Sequence, residues 1–258
     1  MTVKRNIKMI VTDLDGTLLR TDKTVSPYTQ TVLSQCKAQG IKLVYATGRG
    51  GSAELAAPAR LFDGKITMNG AIGKIDDAIV YNRSIPYKYA RPFLVTCHKQ
   101  GIRMTSEISG LHYSNFVVSD AWPVIKNFEV VDFTTHTIDA EKIYSPHPTP
   151  EEISFIQQHL PHDLYSVLAR DGDLSLLMIM HKDATKSKAT AELARYWGIV
   201  PSEIVAFGDD LNDVDMLQFA GAGVAMGNAF DAVKAASDFV CRSNDAEGLA
   251  HWLAEHVL

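Results

Sequence analysis

Residues 7–17, IKMIVTDLDGT, decide the fold of this chain. The stretch begins with an apolar run, residues 7–11, which is too short for a helix and rich in strand formers. Polar residues take over at Thr12, and residues 13–17 (DLDGT) place two carboxylates, a glycine and a hydroxyl directly after the predicted strand. Because open α/β sheets bind ligands beyond the carboxyl ends of their strands, these acids indicate a site.

Strands and helices alternate in the residues that follow. Ser26-Pro27 predicts a helix start, because serine caps helix N-termini and proline fits the first turn, and Gly40 predicts its end. Residues 41–46 are the next strand, a helix is expected over 53–61, and residues 66–68 form a third short strand. This alternation favours an α/β fold with a parallel sheet and helices on its faces.

The pattern changes between residues 83 and 182. Here a helix is followed by paired strands, twice, which is typical of a separate α+β domain. The expected elements are helix 87–101, a helix capped by Thr149-Pro150 that runs to residue 160, strands 103–106, 111–114, 142–145, 165–169 and 174–180, and a turn at Asp171-Gly172.

The earlier alternation then returns. It consists of helix 186–197 ended by Gly198, strand 204–207, helix 212–220, strand 224–226 and a closing helix from about Ala246. The sequence therefore predicts a core formed by residues 1–82 and 183–258, with an α+β domain inserted over residues 83–182.

Bulk composition narrows the class of function. The chain has 258 residues, 46% of them apolar, and a net charge of −5 with histidine neutral, so it can form a large core but lacks the cationic footprint of a general nucleic-acid binder. Its apolar runs are too short for a signal peptide or a membrane span. Its three cysteines lie far apart in the sequence, which favours free thiols in a reducing compartment. We expect a cytoplasmic protein that binds neither nucleic acid nor membrane, and we infer no obligate protein partner.

Four polar clusters follow predicted strands or begin the next helix. They are residues 13–17 (DLDGT), 47–49 (TGR), 69–71 (NGA) and 208–213 (GDDLND). Carboxylates that converge at one sheet edge repel one another, and a divalent cation offsets that repulsion. A few hard oxygen ligands, with room left for water and a phosphate oxygen, describe a Mg²⁺ site.

The DLDGT run suits phosphoryl transfer. A carboxylate nucleophile, Asp13, would split phosphoester hydrolysis into the formation and the breakdown of an acyl phosphate. Asp15, two residues further along an irregular loop, could protonate the leaving oxygen and then take a proton from the attacking water. Gly16 would allow the tight backbone, and cations and N–H groups would neutralise the phosphate oxygens.

These four motifs, in this order, resemble those of the haloacid dehalogenase superfamily, and within it the Cof-type phosphatases of subclass IIB. Residues 224–229 (VAMGNA) are also similar to that subfamily. The resemblance covers both flanks, 1–82 and 183–258, whereas the middle resembles the family's C2-type cap only in layout. It implies a Rossmann-like core with an inserted cap domain, Mg²⁺ as cofactor and a small phosphorylated metabolite as substrate.

The resemblance also implies roles for particular residues. Asp13 would be the nucleophile and a metal ligand, Asp15 would be the general acid and base and would offer its backbone carbonyl to the metal, and Asp209 would be the second metal carboxylate. Asp213 would hold these ligands in position without binding the metal itself. The substrate phosphate would be held by Thr47, Gly48, Arg49, Asn69, Asn212 and a lysine.

That lysine is either Lys186 or Lys188, because residues 185–189 (TKSKA) depart from the family's usual Lys-Gly. Counting back from residues 197–199 (WGI), which resemble the family's helix end, selects Lys186. A cation at a helix N-terminus is also unfavourable unless an anion lies beside it, which fits Lys186 better than a solvated role.

The position of the insert separates the candidate activities. Residues 16–46 have room for one helix and one strand only, so the large insert lies after Asn69, as in sugar-phosphate phosphatases and unlike phosphomutases. A phospho-acceptor signalling module would be about half as long and would lack Asp15. The expected activity is Mg²⁺-dependent hydrolysis of small phosphomonoesters, with sugar phosphates as the first expectation and pyridoxal phosphate or a riboflavin-pathway phosphate as alternatives.

Overall fold

The computed structural model describes residues 6–51, 53–56, 58–123, 125–171 and 174–258. These residues form two compact units. The first unit contains the described residues up to Asn82 together with Thr185–Leu258, and the second is Arg83–Ala184. The sequence analysis placed the junctions at 82/83 and 182/183, whereas the units in the structure change at 82/83 and 184/185.

The strands of both units are numbered along the chain. They are β1 Met9–Thr12, β2 Lys42–Ala46, β3 Gly64–Thr67, β4 Ile72–Ile75, β5 Ala78–Asn82, β6 Thr105–Ile108, β7 Leu111–Ser114, β8 Phe128–Val130, β9 Lys142–Pro146, β10 Leu164–Asp171, β11 Leu174–His181, β12 Ile204–Gly208, β13 Ala222–Ala225 and β14 Phe239–Val240.

The α-helices are numbered in the same way. They are α1 Pro27–Ala38, α2 Ala53–Ala56, α3 Tyr87–Lys99, α4 Val118–Ala121, α5 Pro150–Gln158, α6 Lys186–Tyr196, α7 Val214–Phe219, α8 Asp231–Ala236 and α9 Gly248–His256.

The first unit is built on one sheet with the order β14-β13-β12-β1-β2-β3-β4-β5. The strands from β14 to β3 are parallel, and β4 and β5 continue the sheet in antiparallel pairing. All four residues of β1 are buried, which is expected of a central strand covered on both faces. The predicted α/β fold with a parallel sheet is confirmed.

Helix starts follow the predicted capping chemistry. The Ser26 hydroxyl accepts a hydrogen bond of 3.0 Å from the Thr29 N–H at the start of α1. Thr149 and Glu152 form a reciprocal capping box at the start of α5, with 3.2 and 2.7 Å between donors and acceptors. Among the described residues, no helix combines the length and the apolar character that a membrane crossing requires.

Two predicted elements of the core differ in the structure. The helix expected over 53–61 is wrong, because α2 ends at Ala56 and a separate 3₁₀ turn spans Ala59–Leu61. Pro58 lies between them and cannot donate a helical hydrogen bond. The third strand begins earlier, at Gly64, and ends at Thr67, since Met68 and Asn69 adopt left-handed backbone angles with φ of 52° and 53°.

The second unit contains a six-stranded sheet in the order β10-β11-β9-β6-β7-β8. Its apolar core joins residues of α3 and α5, such as Phe93 and Ile156, to strand residues such as Ile143 and Leu177. The paired strands and the two longer helices, α3 and α5, agree with the predicted α+β layout. Of the predicted Asp171-Gly172 turn, Gly172 lies outside the described residues.

Candidate active site

The carboxyl ends of β1 and β12 bring two predicted acids to one edge of the sheet. Asp13 directly follows β1, and its N–H donates to the carbonyl of Phe207 on β12 at 3.0 Å. Asp209 directly follows β12, which runs parallel to β1. Residues separated by nearly 200 positions therefore share one site because parallel neighbouring strands end at the same edge.

A buried ion cluster lies at this edge. The Nζ atom of Lys186 is 2.7 Å from Oδ1 of Asp13 and 2.5 Å from Oδ1 of Asp213, and the lysine side chain has no exposed surface. Burial would lower the pKa of Lys186, but the two carboxylates outweigh it and raise that pKa. Burial raises the pKa of the Asp13 carboxyl, Lys186 opposes this, and the charges of Asp213 and Asp209 add to the rise.

Lys188 stands in a different environment. It is exposed on α6, whereas Lys186 begins the helix and points into the acid cluster. Of the two lysines left open by the sequence, the structure thus brings Lys186 to the predicted nucleophile.

Asp213 holds the loop that carries Asp209. Its Oδ2 atom accepts the backbone N–H groups of Asp209 and Asp210, both at 3.0 Å, while its Oδ1 atom accepts from Lys186. A side chain at Gly208 would meet the Cβ of Asp213 at 2.4 Å, so glycine is required there. Both oxygens of Asp213 are therefore engaged with protein donors, which suits a supporting role.

The acid cluster fits a divalent metal by its chemistry. One carboxylate oxygen from each of Asp13, Asp209 and Asp213 lies within 4.8 Å of the others. Three carboxylates against one lysine leave a net negative charge, and hard oxygen donors are the ligands that Mg²⁺ prefers. Since Asp213 is already engaged, Asp13 and Asp209 are the side chains available to hold a metal.

Asp209 is oriented by the DLDGT loop. The hydroxyl of Thr17 donates to its Oδ1 at 2.6 Å, and burial raises the pKa of Asp209 to about 6 against the opposing effect of this hydrogen bond. Gly16 has a φ of 76°, and a Cβ there would lie 2.2 Å from Oδ2 of Asp209. Only glycine combines this backbone angle with such a close approach.

Asp15 carries a different set of contacts from Asp13. Arg49 approaches its two carboxylate oxygens through Nε at 2.5 Å and Nη2 at 2.6 Å, and Lys23 reaches Oδ1 at 2.8 Å. Partial burial opposes them, but these cations hold the pKa of Asp15 below its ordinary value. Asp15 is thus held in its charged form, which is the form that can accept a proton.

The other predicted phosphate-binding residues lie at the ends of β2 and β3, except Asn212, which lies in the turn after β12. The Asn69 N–H donates to the Thr47 carbonyl at 3.0 Å, and the amide nitrogen of Asn212 donates to Oδ1 of Asn69 at 2.9 Å. A Cβ at Gly48 would be 2.9 Å from the same Oδ1, and the hydroxyl of the buried Thr47 accepts the N–H of Arg49 at 3.2 Å.

Some supporting residues escaped the sequence reasoning. Asp215 accepts the Ser187 N–H at 3.1 Å and its hydroxyl at 2.5 Å, which fixes the helix start beside Lys186. Asn228 donates to the carbonyl of Gly16 at 2.8 Å and so braces the nucleophile loop. Asn228 falls in the VAMGNA stretch noted above, but no periodicity or spacing gives it a partner 212 residues away.

Comparison with known proteins identifies the family of this chain. The family of haloacid dehalogenase-like hydrolases matches residues 10–253. The chain is 27% identical to the Bacillus subtilis 5-amino-6-(5-phospho-D-ribitylamino)uracil phosphatase YitU, over 96% of this chain and 97% of that one. It is also 27% identical to the Escherichia coli pyridoxal phosphate phosphatase YbhA, over 97% and 99% of the two chains.

A solved structure extends the similarity to the fold. The subclass IIB sugar phosphatase BT4131 superposes with a TM-score of 0.78 at 27% identity, covering 96% of this chain and 98% of that one. This chain therefore combines similarity to these phosphatases with acids at the sheet edge, a buried lysine beside them and an inserted α+β unit. It belongs to the haloacid dehalogenase-like hydrolase family, as a Cof-type phosphatase.

Proposed function

We propose that this phosphatase hydrolyses small phosphomonoesters, first of all sugar phosphates, through an aspartyl-phosphate formed on Asp13 with Mg²⁺ as cofactor. The observation that carries the proposal is the position of Asp13, which lies 2.7 Å from the buried Nζ of Lys186 and shares a cluster with Asp209. A carboxylate held against a fixed cation is oriented for attack and needs no reorganisation.

The first half of the reaction transfers the phosphoryl group to the enzyme. A carboxylate oxygen of Asp13 forms a bond to phosphorus as the bond from phosphorus to the leaving oxygen breaks. Asp15, two residues away, gives that oxygen a proton, so that an alcohol leaves. Asp15 must therefore be protonated when the substrate binds. Arg49 and Lys23 hold the pKa of Asp15 low, so this step requires these cations to interact with the substrate phosphate as well as with Asp15.

The second half returns the enzyme to its starting state. Asp15, now charged, takes a proton from a water molecule whose oxygen attacks phosphorus. The bond between phosphorus and Asp13 then breaks, and inorganic phosphate leaves. The ion pairs of Asp15 with Arg49 and Lys23 favour this base form.

The remaining residues position the phosphate. Lys186 neutralises charge beside Asp13, while Thr47, Gly48, Arg49, Asn69 and Asn212 offer hydroxyl, amide and guanidinium donors along the edge of the sheet. Mg²⁺, held by Asp13 with the backbone carbonyl of Asp15 and by Asp209, would supply the positive charge that phosphoryl transfer requires. Asp213 supports this set through Lys186 and the Asp209 loop.

The relatives support a small phosphorylated metabolite as substrate. Those compared above are named as a sugar phosphatase, a 5-amino-6-(5-phospho-D-ribitylamino)uracil phosphatase and a pyridoxal phosphate phosphatase. A phosphate-release screen with Mg²⁺ over these three substrate groups tests the proposal. We expect catalytic turnover of at least one sugar phosphate, abolished in Asp13→Asn; a single labelling event without turnover would instead indicate a phospho-acceptor module.

A further inference from the structure

A loop near the C-terminus contacts the DLDGT run from the far end of the chain. The side-chain amide of Asn244 donates to the carbonyl of Leu19 at 2.9 Å, across 225 positions of sequence. Its backbone N–H donates to Oδ1 of Asn228 at 3.0 Å, and Asn228 donates to the carbonyl of Gly16 at 2.8 Å. Asn244 is therefore linked to the backbone of the DLDGT loop at two points, and the nearer one directly follows Asp15.

Two acids of the same C-terminal loop hold the turn that follows the DLDGT run. The carboxylate of Asp245 accepts the N–H and the hydroxyl of Thr21 at 2.8 and 2.7 Å. Oε1 of Glu247 is 2.6 Å from Nη2 of Arg20, and Glu247 has a left-handed φ of 57°, which a non-glycine residue adopts only at a cost. We call Asn244, Asp245 and Glu247 the C-terminal clamp.

The turn held by the clamp brings a cation to Asp15. The N–H of Arg20 donates to the carbonyl of Thr24, and the N–H of Lys23 donates to the carbonyl of Arg20, both at 2.9 Å. Lys23 has a φ of 64° in this turn, and its Nζ lies 2.8 Å from Oδ1 of Asp15. Leu19 forms an isolated β-bridge with Asp15, so the clamp is connected to this acid through its backbone as well as through its side chain.

The contacts of the clamp suit positioning better than stability. Asp245, Thr21 and Lys23 are exposed, and exposed ion pairs and hydrogen bonds add little to the free energy of unfolding. The left-handed backbone at Lys23 and Glu247 opposes stability further, and such strained residues cluster at functional sites. A general acid, in contrast, must lie within hydrogen-bond reach of the oxygen that it protonates, and a displacement of about 1 Å can lower a rate by about 100-fold.

We propose that the C-terminal clamp positions Asp15 for the transfer of a proton to the leaving oxygen, and this rests on the proposed phosphatase function. The three clamp residues are positioning residues, because they act through the loop that they hold. Asp13 is held separately, by the ion pair with Lys186 and by its N–H bond to Phe207 on β12, so loosening the clamp should leave the nucleophile in place. The loss should therefore be confined to substrates whose leaving group needs a proton.

The test compares two substrates on the full chain with Mg²⁺. A sugar phosphate has a poor leaving group that needs a proton, whereas para-nitrophenyl phosphate has a good one, and kcat/KM reports the step in which that group leaves. In Asn244→Ala and in Asp245→Ala, we expect kcat/KM to fall about 10–100-fold for the sugar phosphate and to change less than about threefold for para-nitrophenyl phosphate.

Two further variants serve as controls. Asp245→Asn should recover most of the loss seen in Asp245→Ala, because its side-chain oxygen can still accept the Thr21 N–H. Glu255→Ala, which removes an exposed acid on α9, should change neither value. Melting temperatures of all variants should stay close to that of the wild type and identify any loss that reflects unfolding.

The outcomes separate this proposal from the proposed function. Equal losses on both substrates in a folded clamp variant, or no loss on either, would show that the clamp is only structural and would overturn its positioning role. The phosphatase mechanism would still stand if Asp15→Ala alone lost more activity on the sugar phosphate. If Asp15→Ala lost equally on both substrates, Asp15 would not be the acid that protonates the leaving oxygen, and the role of the clamp would be overturned with it.

Discussion

The two units each bury a lysine against carboxylates, but the charge balance differs. In the first unit Lys186 contacts two carboxylates and a third, Asp209, lies within the same cluster, so acids outnumber the cation. In the second unit Lys142 meets one carboxylate, Glu107, and the pair is neutral. The difference lies in net charge: the first cluster carries an excess of negative charge, which a bound cation would offset, whereas the pair in the second unit is already balanced.

The largest effect should come from the nucleophile of the charge-rich site. Asp13→Asn keeps the shape of the side chain but removes the attacking carboxylate, so we expect Mg²⁺-dependent phosphate release to fall at least about 10⁴-fold. The melting temperature should stay close to that of the wild type. Asp22→Asn, an exposed control in the same loop region, should keep full activity. Retained activity in Asp13→Asn would refute the mechanism.

Lys186 and Lys188 on α6 allow a buried cation to be compared with an exposed one. Lys186→Met leaves Asp13 and Asp213 buried without their partner, so we expect a loss of roughly 3–5 kcal/mol in the free energy of unfolding. Activity should fall about 10³-fold. Lys188→Met should change neither by much, because Lys188 is exposed. Urea denaturation measures the stability of the two variants, and phosphate release measures their activity. Larger losses in Lys188→Met than in Lys186→Met would show that Lys188 is the phosphate-binding lysine.

Asp15 tests the division of labour between the two acids of the DLDGT run. Asp15→Ala removes proton transfer in both half-reactions, so we expect a decrease of about 10²–10⁴-fold with sugar phosphates. The decrease should be smaller with para-nitrophenyl phosphate, whose leaving group needs little protonation. Single-turnover and steady-state rates would show the effect, and an unchanged rate on every substrate would remove Asp15 as the acid and base.

Alanine substitutions at Gly16 and Gly40 distinguish the effect of backbone strain from the effect of a displaced site residue. Gly16 and Gly40 have φ of 76° and 83°, but only at Gly16 would a Cβ strike another side chain, Asp209; the Gly40 position is open. Alanine at either position should cost about 1–2 kcal/mol in the free energy of unfolding. Only Gly16→Ala should also lose activity, roughly 10–100-fold, because it displaces Asp209. Equal activity of the two variants would contradict the role of that approach.

The smallest effect concerns pH and metal removal. Burial raises the pKa of Asp209 from 3.8 to about 6, so the folded, metal-free protein binds this proton more tightly than the unfolded chain. The stability from this group is complete below about pH 4 and is lost as pH rises through 6. After chelation, we expect the melting temperature to decrease between pH 5 and 7.5, and Mg²⁺ should restore it more at pH 7.5. Asp209→Asn should show a smaller difference, because burial also raises the pKa of Asp13, which still contributes. Equal metal effects at both pH values in the wild type would argue against Asp209 as a ligand.

Sequence reasoning found the elements whose signals are local. Short stretches of sequence were enough to predict the strand before Asp13, the helix caps Ser26 and Thr149, and the acid clusters. The β4–β5 hairpin was missed, because its two-residue turn uses Asp76 and Asp77 in left-handed angles where Asn-Gly is the usual signal. Helix α8 and strand β14 were missed as well, since they have only six and two residues.

Contacts between distant residues escaped for a different reason. Asp215 and Ser187 meet across two helices, and Glu107 and Lys142 meet across paired strands, so no sequence spacing marks either contact. The core acids could be found because each follows a strand that ends at one sheet edge. The contact of Glu107 with Lys142 has no such common origin, because it depends on the register of β6 and β9.

The central claim is that Asp13 carries the phosphoryl group during turnover. The most direct measurement is a rapid quench of the wild-type enzyme during hydrolysis of a sugar phosphate, followed by borohydride reduction and peptide mass spectrometry. An aspartyl-phosphate is reduced to homoserine, so we expect homoserine at position 13 in the wild type and none in Asp13→Asn. Trapping at another residue, or none during active turnover, would contradict it.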